Sequence, residues 1–174
     1  MKHIVMTACA ALACAAAVPA FAHIVVTPSE ASAGSYARLA FAVGHGCRGS
    51  PTTRIEVIIP DGVLVAKPAP KRGWRLHLTK AKLAVPARSH GQAQTERVER
   101  ISWSGGPLDD QYYDEFVVLA KLPDATGTVL FPVVQTCEQG RNHWSLPPGK
   151  TSDDRSVGPA PAVRLAPAAP PHAH

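Results

Sequence analysis

The chain has 174 residues, of which 45% are hydrophobic, and 18 lysines and arginines outnumber 13 aspartates and glutamates to give a net charge of +5. This length suits one domain with a buried core. The positive charges are scattered and no nucleic-acid-reading motif accompanies them, which argues against a nucleic-acid-binding protein. No stretch after residue 22 approaches the roughly 20 apolar residues of a membrane span, so we expect no transmembrane segment there.

Residues 1–22 have the pattern of a secretory signal peptide. Lys2 is their only charged residue, an alanine-rich apolar stretch follows it, and the segment ends in Ala-Phe-Ala at Ala22. We predict cleavage between Ala22 and His23 and a periplasmic or extracellular location for the mature chain. Loss of Lys2 leaves a net charge of +4.

The rest of the sequence predicts an all-β domain. Short apolar or alternating runs recur between turn residues, and none has the period of an amphipathic helix. Alternation in YARLAFAV and TRIEVII is typical of strands with one face on a core. The runs are IVVTP, YARLAFAVG, TRIEVIIP, WRLHLTK, RISWSG, EFVVLAKLP, TVLFPVVQT and NHWSL.

Two segments differ from this pattern. Residues 80–100 are more polar and predict a long hairpin or a mobile connection. From residue 153 the chain is rich in proline and alanine, which favours a disordered tail. The predicted organisation is therefore a signal peptide at 1–22, one β-sandwich at 23–152 and a disordered tail at 153–174.

Cleavage after Ala22 creates a chemical group that the precursor lacks. A histidine at a free N-terminus offers its α-amine and imidazole Nδ1 to one metal ion as a chelate, and nitrogen donors suit Cu(II). The amine has a reference pKa near 8, so a metal displaces its proton at modest cost. Glu30 follows seven residues after His23 and is a candidate oxygen ligand, although a turn glutamate with no ligand role is the alternative.

Two of the four cysteines remain after export. Cys47 and Cys137 lie about 90 positions apart, and such a pair in an oxidising compartment favours one structural disulfide. Closing so long a loop stabilises the fold by about 4 kcal/mol in the chain-entropy model. The alternative is a reduced pair that offers soft ligands to Cu(I).

Several ordered motifs resemble the YcnI-like family of bacterial exported copper-binding proteins, over about residues 23–150. They are HIVVTPSEASAGSY at 23–36, GHGCRGSPTT at 44–53, IPDGV at 59–63, KPAPKRGW at 67–74, YYDEF at 112–116, and FPVVQTCEQG from 131 with a tryptophan at 144. The resemblance implies a cupredoxin-like or immunoglobulin-like β-sandwich that binds one Cu(II) at a single-histidine brace.

The resemblance also implies roles for individual residues. His23 supplies amine and imidazole, Glu30 supplies a carboxylate, and Trp144 lies close to the copper, although an aromatic residue in a core is the alternative for Trp144. Apart from the resemblance, His45 and Glu138 are weaker candidate ligands, and a turn residue is the alternative for His45. The implied function is copper trafficking, acquisition or buffering, with a copper chaperone or membrane copper transporter as partner.

Two other functions are alternatives to copper trafficking, acquisition or buffering. A terminal histidine brace also holds copper in lytic polysaccharide monooxygenases, which use a second histidine and a flat aromatic surface. A metal-independent structural or adhesion module is the third possibility. No nucleophile-and-base motif or nucleotide-binding loop is evident, and Asp114 and Glu115 are adjacent in a strand and so face opposite sides. We therefore expect no enzymatic activity.

Overall fold

In the computed structural model, which describes residues 23–89 and 92–168, the chain folds into thirteen β-strands. This described part contains no helix long and apolar enough to cross a membrane. The strands are β1 Val25–Thr27, β2 Glu30–Ser32, β3 Tyr36–Val43, β4 Thr52–Ile58, β5 Val65–Pro68, β6 Trp74–Ser89, β7 Gln92–Leu108, β8 Asp114–Lys121, β9 Gly127–Leu130, β10 Val133–Cys137, β11 Arg141–Leu146, β12 Val157–Pro159 and β13 Ala162–Ala166.

The strands form three sheets. A four-stranded sheet has the order β1-β3-β8-β5, and a six-stranded sheet has the order β12-β11-β10-β4-β7-β6. A small third sheet, in the order β2-β13-β9, lies beside them. Most neighbouring strands are antiparallel, while β11–β12 and β2–β13 are parallel pairs.

The core lies between the two larger sheets. Alternation in β4 buries Ile55 and Val57 and leaves Arg54 exposed, as the sequence predicted. Aromatic side chains connect the layers, since Trp103 of β7 meets Phe116 of β8 with ring centroids 5.5 Å apart. The predicted all-β sandwich is therefore confirmed.

The polar segment predicted as a hairpin or a mobile connection is a hairpin in the described residues. Strands β6 and β7 pair antiparallel from Trp74 opposite Gly105 out to Ser89 opposite Gln92, with register shifts on the way. Strand β6 forms one edge of the six-stranded sheet.

The predicted disordered tail is wrong for its first part. Strand β12 pairs with β11, and β13 pairs with both β2 and β9. Val163 and Leu165 alternate on one face of β13 and are 0% and 3% exposed. Prolines are tolerated here because Pro159 ends the edge strand β12, while Pro161 and Pro167 flank β13 rather than interrupt it.

The domain therefore extends beyond residue 152, to at least the end of β13. The predicted signal peptide, 1–22, lies outside the described residues, as do the last six residues of the predicted tail, 169–174.

Candidate metal site

His23 lies at the start of the domain, directly before β1, and its side chain is exposed. The chain is anchored immediately after it, because Ile24 and Val26 are 2% and 5% exposed and belong to the core. Strand β1 pairs antiparallel with β3, with Val25 opposite Ala42. Strand β1 begins two residues after His23, and β3 ends two residues before His45.

Trp144 of β11 is the buried centre of the site, with 6% of its surface exposed. The centroid of its ring lies 5.7 Å from that of His23 and 6.2 Å from that of His45, and both imidazoles are nearly perpendicular to the indole. Edge-to-face contacts of this kind are favourable. The structure thus brings together three of the residues that the sequence singled out.

Gln135 of β10 holds Trp144 in position through a hydrogen bond to the indole. It is fully buried, and its Oε1 accepts a hydrogen bond of 3.2 Å from the indole Nε1. Its Nε2 donates to the main-chain oxygen of His45 at 2.7 Å and to Thr52 Oγ1 at 2.8 Å. A buried amide with its partners in place stabilises one arrangement, since losing any of them leaves a polar group unsatisfied.

A tight loop after β3 holds His45. Its Nδ1 lies 2.7 Å from the oxygen of Gly46. Gly46 is required because a Cβ there would lie 1.8 Å from the main-chain oxygen of Ser50. The main-chain nitrogen of Gly46 also donates a hydrogen bond of 2.8 Å to the carboxylate of Asp110. The loop therefore leaves little freedom for the histidine.

The disulfide between Cys47 and Cys137 closes the base of this loop, and its Cα atoms are 5.9 Å apart. The predicted disulfide is confirmed. It joins the end of β10 to the loop that carries His45, so the strand bearing Gln135 and the histidine loop are linked covalently as well as by hydrogen bonds.

A cavity of about 180 Å³ opens beside His23 and Trp144. Its far wall is the segment that the sequence assigned to the end of the domain and the tail, including Lys150, Ser152, Asp154 and Gly158. Hydrogen bonds from the main-chain N–H and hydroxyl of Ser156, at 2.8 and 2.7 Å, lower the pKa of the Asp154 carboxyl. The cavity thus has an ionised carboxylate on one wall and an imidazole on another.

The two predicted carboxylate ligands lie elsewhere. Glu30 begins β2 in the third sheet, where its carboxylate accepts hydrogen bonds from the guanidinium of Arg164. Glu138 is exposed in the turn after β10, and its main-chain nitrogen donates to Pro51 at 2.9 Å. Neither lines the cavity beside His23, and the ligand role of each stays a prediction.

The two side chains that contact Trp144 edge-to-face, His23 and His45, carry imidazole nitrogens. In the described ranges, no three side chains of histidine, cysteine, aspartate or glutamate form a group that could hold a metal ion. His23 adds its main-chain nitrogen, which becomes a primary amine only if the chain is cut after Ala22. Imidazole and amine nitrogens are ligands that copper accepts readily, so the residues present fit a copper ion.

Two contributors to this site were not predicted from the sequence. Gln135 has a readable signal, because the alternating strand VVQTC places a polar residue among inward-facing positions. Gly158 has none, because its role depends on the pairing of β12 with β11. A Cβ on Gly158 would lie 2.6 Å from the Trp144 ring, so only glycine leaves room for the indole as it stands. The same Cβ would lie 3.8 Å from His23 Nδ1, which is an ordinary contact.

The two packed sheets define a β-sandwich of the immunoglobulin-like class. An uncharacterised protein from Nocardia farcinica, whose crystal structure reveals an immunoglobulin-like fold, is similar with a TM-score of 0.61 and 26% identity. The alignment covers 83% of this chain and 98% of that one.

The chain belongs to the family described as a domain of unknown function, DUF1775, whose model matches residues 23–165. This is the domain of the YcnI-like family, so that part of the resemblance is confirmed. The match begins at His23 and reaches into β13. The seventh type I cohesin of ScaB from Pseudobacteroides cellulosolvens is also similar, with a TM-score of 0.40, 12% identity, and 87% and 96% of the two chains covered. No curated protein matches the chain.

Proposed function

We propose that this protein is exported and binds one Cu(II) per chain at a mature N-terminus formed by His23. The α-amine and imidazole Nδ1 of His23 form the chelate, and Trp144 walls the ion from solvent on one side. The protein carries, acquires or buffers copper in the periplasm or outside the cell, and exchanges it with a copper chaperone or membrane transporter. It acts as a carrier rather than an enzyme.

One observation carries the proposal: the imidazole of His23 lies against the buried indole of Trp144 at the mouth of a cavity. A first residue with no function would not need a defined position against the indole of Trp144. Strand β1 fixes the main chain directly after it, so the amine produced by cleavage would start in a defined place. The resemblance to exported copper-binding proteins supports the same function.

The proposal is tested by titrating the processed chain with Cu(II) after expression from the full-length sequence and N-terminal sequencing. We expect a first residue of His23 and uptake of one Cu(II) per chain. His23→Ala removes that uptake, while His77→Ala, at an exposed position on β6, leaves it unchanged. Uptake that survives in His23→Ala contradicts the proposal, and an absence of stoichiometric uptake by the unaltered chain favours a metal-independent module.

The nearness of His45 to Trp144 favours one competing function, a copper-dependent oxidative enzyme. Such an enzyme uses a second imidazole, and the ring of His45 lies 6.2 Å from the indole that His23 also contacts. The copper-loaded chain with a reductant would then form peroxide or oxidise oligosaccharides faster than free copper does. We expect no such excess, and finding it would replace the carrier by the enzyme.

A further inference from the structure

We propose that the outer face of the six-stranded sheet is a docking surface for the phosphate groups of an anionic phospholipid membrane. The outer face is the side of β6, β7, β4, β10 and β11 that points away from the core. This inference goes beyond copper binding and does not depend on the site at His23. It describes attachment to a membrane surface, not insertion into the bilayer.

Strand pairing places three arginines in one row across this face. Arg75 of β6 lies opposite Ser104 of β7, which in turn lies opposite Arg54 of β4. Arg54 lies opposite Thr136 of β10, which lies opposite Arg141 of β11. Residues directly opposite each other share one face of a sheet. Neighbouring strands are about 4.8 Å apart, so consecutive arginines, two strands apart, are separated by about 10 Å.

Two arginines of this row are available to an outside anion. Arg75 and Arg141 are exposed, and neither forms an ion pair with any residue that the structure describes. Leu76 packs against the core, so Arg75 beside it points outward. A planar guanidinium with several N–H donors matches the oxygens of a phosphate.

Glu56 does not cancel the charge of this face. It lies on the outer face beside the arginine row, and its carboxylate is shared by Arg54 and Arg100. Two guanidinium groups and one carboxylate leave this cluster with a charge of +1. Arg75 and Arg141 add one charge each, which brings the sum to +3.

Another carboxylate, that of Asp154, lies near the β12 end of the sheet. Hydrogen bonds from Ser156 are the main cause of its lowered pKa, and the charges of Arg48 and His143 lower the pKa further. Arg48 thus supplies a positive charge that offsets this carboxylate, and the arginine row keeps its excess.

The side chains between the arginines favour a membrane over an acidic protein as the partner. Protein interfaces usually centre on an aromatic and apolar core. Within the described residues, none of the exposed large hydrophobic side chains occupies the arginine row or the row beside it. The second row includes His77, Ser102 and His143. Arginines interleaved with hydroxyls and imidazoles suit an array of phosphates, which anionic lipid headgroups provide.

The test is co-sedimentation of the processed chain with vesicles of phosphatidylcholine alone and of phosphatidylcholine mixed with the anionic lipid phosphatidylglycerol. A chelator is present so that no metal ion bridges protein and lipid. We expect binding to the mixed vesicles only, and release as the salt concentration rises, because salt screens the attraction. No binding to the mixed vesicles at low salt overturns the inference.

Arg75→Gln combined with Arg141→Gln should lower the affinity for mixed vesicles by about thirtyfold, since each arginine near an anionic surface contributes about fivefold. Arg38→Gln combined with Lys67→Gln is the matched control, because it removes the same charge from β3 and β5 of the other large sheet. It should bind almost as well as the unaltered protein, and thermal unfolding verifies that both double variants fold. Equal losses in the two double variants would overturn the assignment of this face.

Inorganic phosphate distinguishes an array of headgroups from a site for one phosphate ion. At equal ionic strength, phosphate should release the protein from the mixed vesicles no better than chloride does. Release specific to phosphate would overturn the membrane surface in favour of a small-anion site. Copper uptake is measured separately, so failure of this inference leaves the proposed function of His23 intact.

Discussion

Gly158 sets how closely strand β12 approaches the ring of Trp144. The two residues are paired across β11 and β12, and the indole lies over the glycine at a distance that no Cβ tolerates. The same glycine borders His23 Nδ1. A residue without a side chain therefore shapes the proposed metal site.

We expect Gly158→Ala to destabilise the protein by about 1–3 kcal/mol, the usual cost of overpacking a well-packed region. The added methyl group must displace the indole, since it would lie 2.6 Å from two ring atoms. Chemical denaturation measures the loss, and a shifted Trp144 emission should accompany it. Gly44→Ala is the control, because a Cβ there meets nothing within 4 Å. Equal stability of the two variants would contradict this prediction, because it would mean that the Trp144 ring moves aside at no cost in free energy.

At the scale of elements, the last two strands close the domain. Strand β13 lies at the centre of the third sheet, between β2 and β9, and Val163 and Leu165 are buried. Strand β12 extends the six-stranded sheet and supplies part of the cavity wall. The proline- and alanine-rich composition of this segment did not predict that it forms two strands.

A chain that stops after residue 153 should therefore be much less stable than one that stops after residue 168. The shorter form loses the burial of Val163 and Leu165, worth about 1.5–3 kcal/mol each, and leaves β2 and β9 without their shared partner. Thermal unfolding of both forms measures the difference. Equal midpoints would mean that the two strands contribute nothing to the fold.

At the scale of the whole molecule, we expect a charge network around Glu56, on the outer face of the six-stranded sheet, to contribute to stability in acid. Burial raises the pKa of Glu56, but hydrogen bonds from Arg100, Arg54 and Ser102 outweigh it, so the pKa lies below its ordinary value of 4.5. Arg100 donates to Glu56 Oε1 at 2.6 Å and Ser102 donates to Oε2 at 2.9 Å. The ionised form is thus the one that the fold stabilises.

The pKa of Glu56 is lower in the folded state than in the unfolded state. Its contribution to the free energy of unfolding is therefore complete at pH values above the ordinary pKa of a glutamate. It is lost as the pH falls through the folded-state pKa. We expect Glu56→Gln to be less stable near neutral pH and to lose less further stability in acid than the unaltered protein. Denaturant unfolding across this pH range measures both slopes, and parallel curves would contradict the assignment.

Local patterns predicted much of this fold. Alternation in β3 and β4 reflects burial on one face. The disulfide was predicted from two widely spaced cysteines together with the expected export of the chain. The strands of the tail were not predictable in this way, because β13 is stabilised by partners from distant parts of the chain, β2 and β9. His23 and Trp144 were predictable as residue types, but the contact of His45 with Trp144 depends on loop geometry that the sequence does not reveal.

The central claim is that cleavage before His23 makes the copper site, and a comparison of two N-termini by Cu(II) titration tests it most directly. One chain begins at His23 and the other carries a single alanine ahead of it, which converts the terminal amine of His23 into an amide. We predict one tightly bound Cu(II) for the first chain and a large loss of affinity for the second. Equal affinities and equal EPR spectra would contradict the claim.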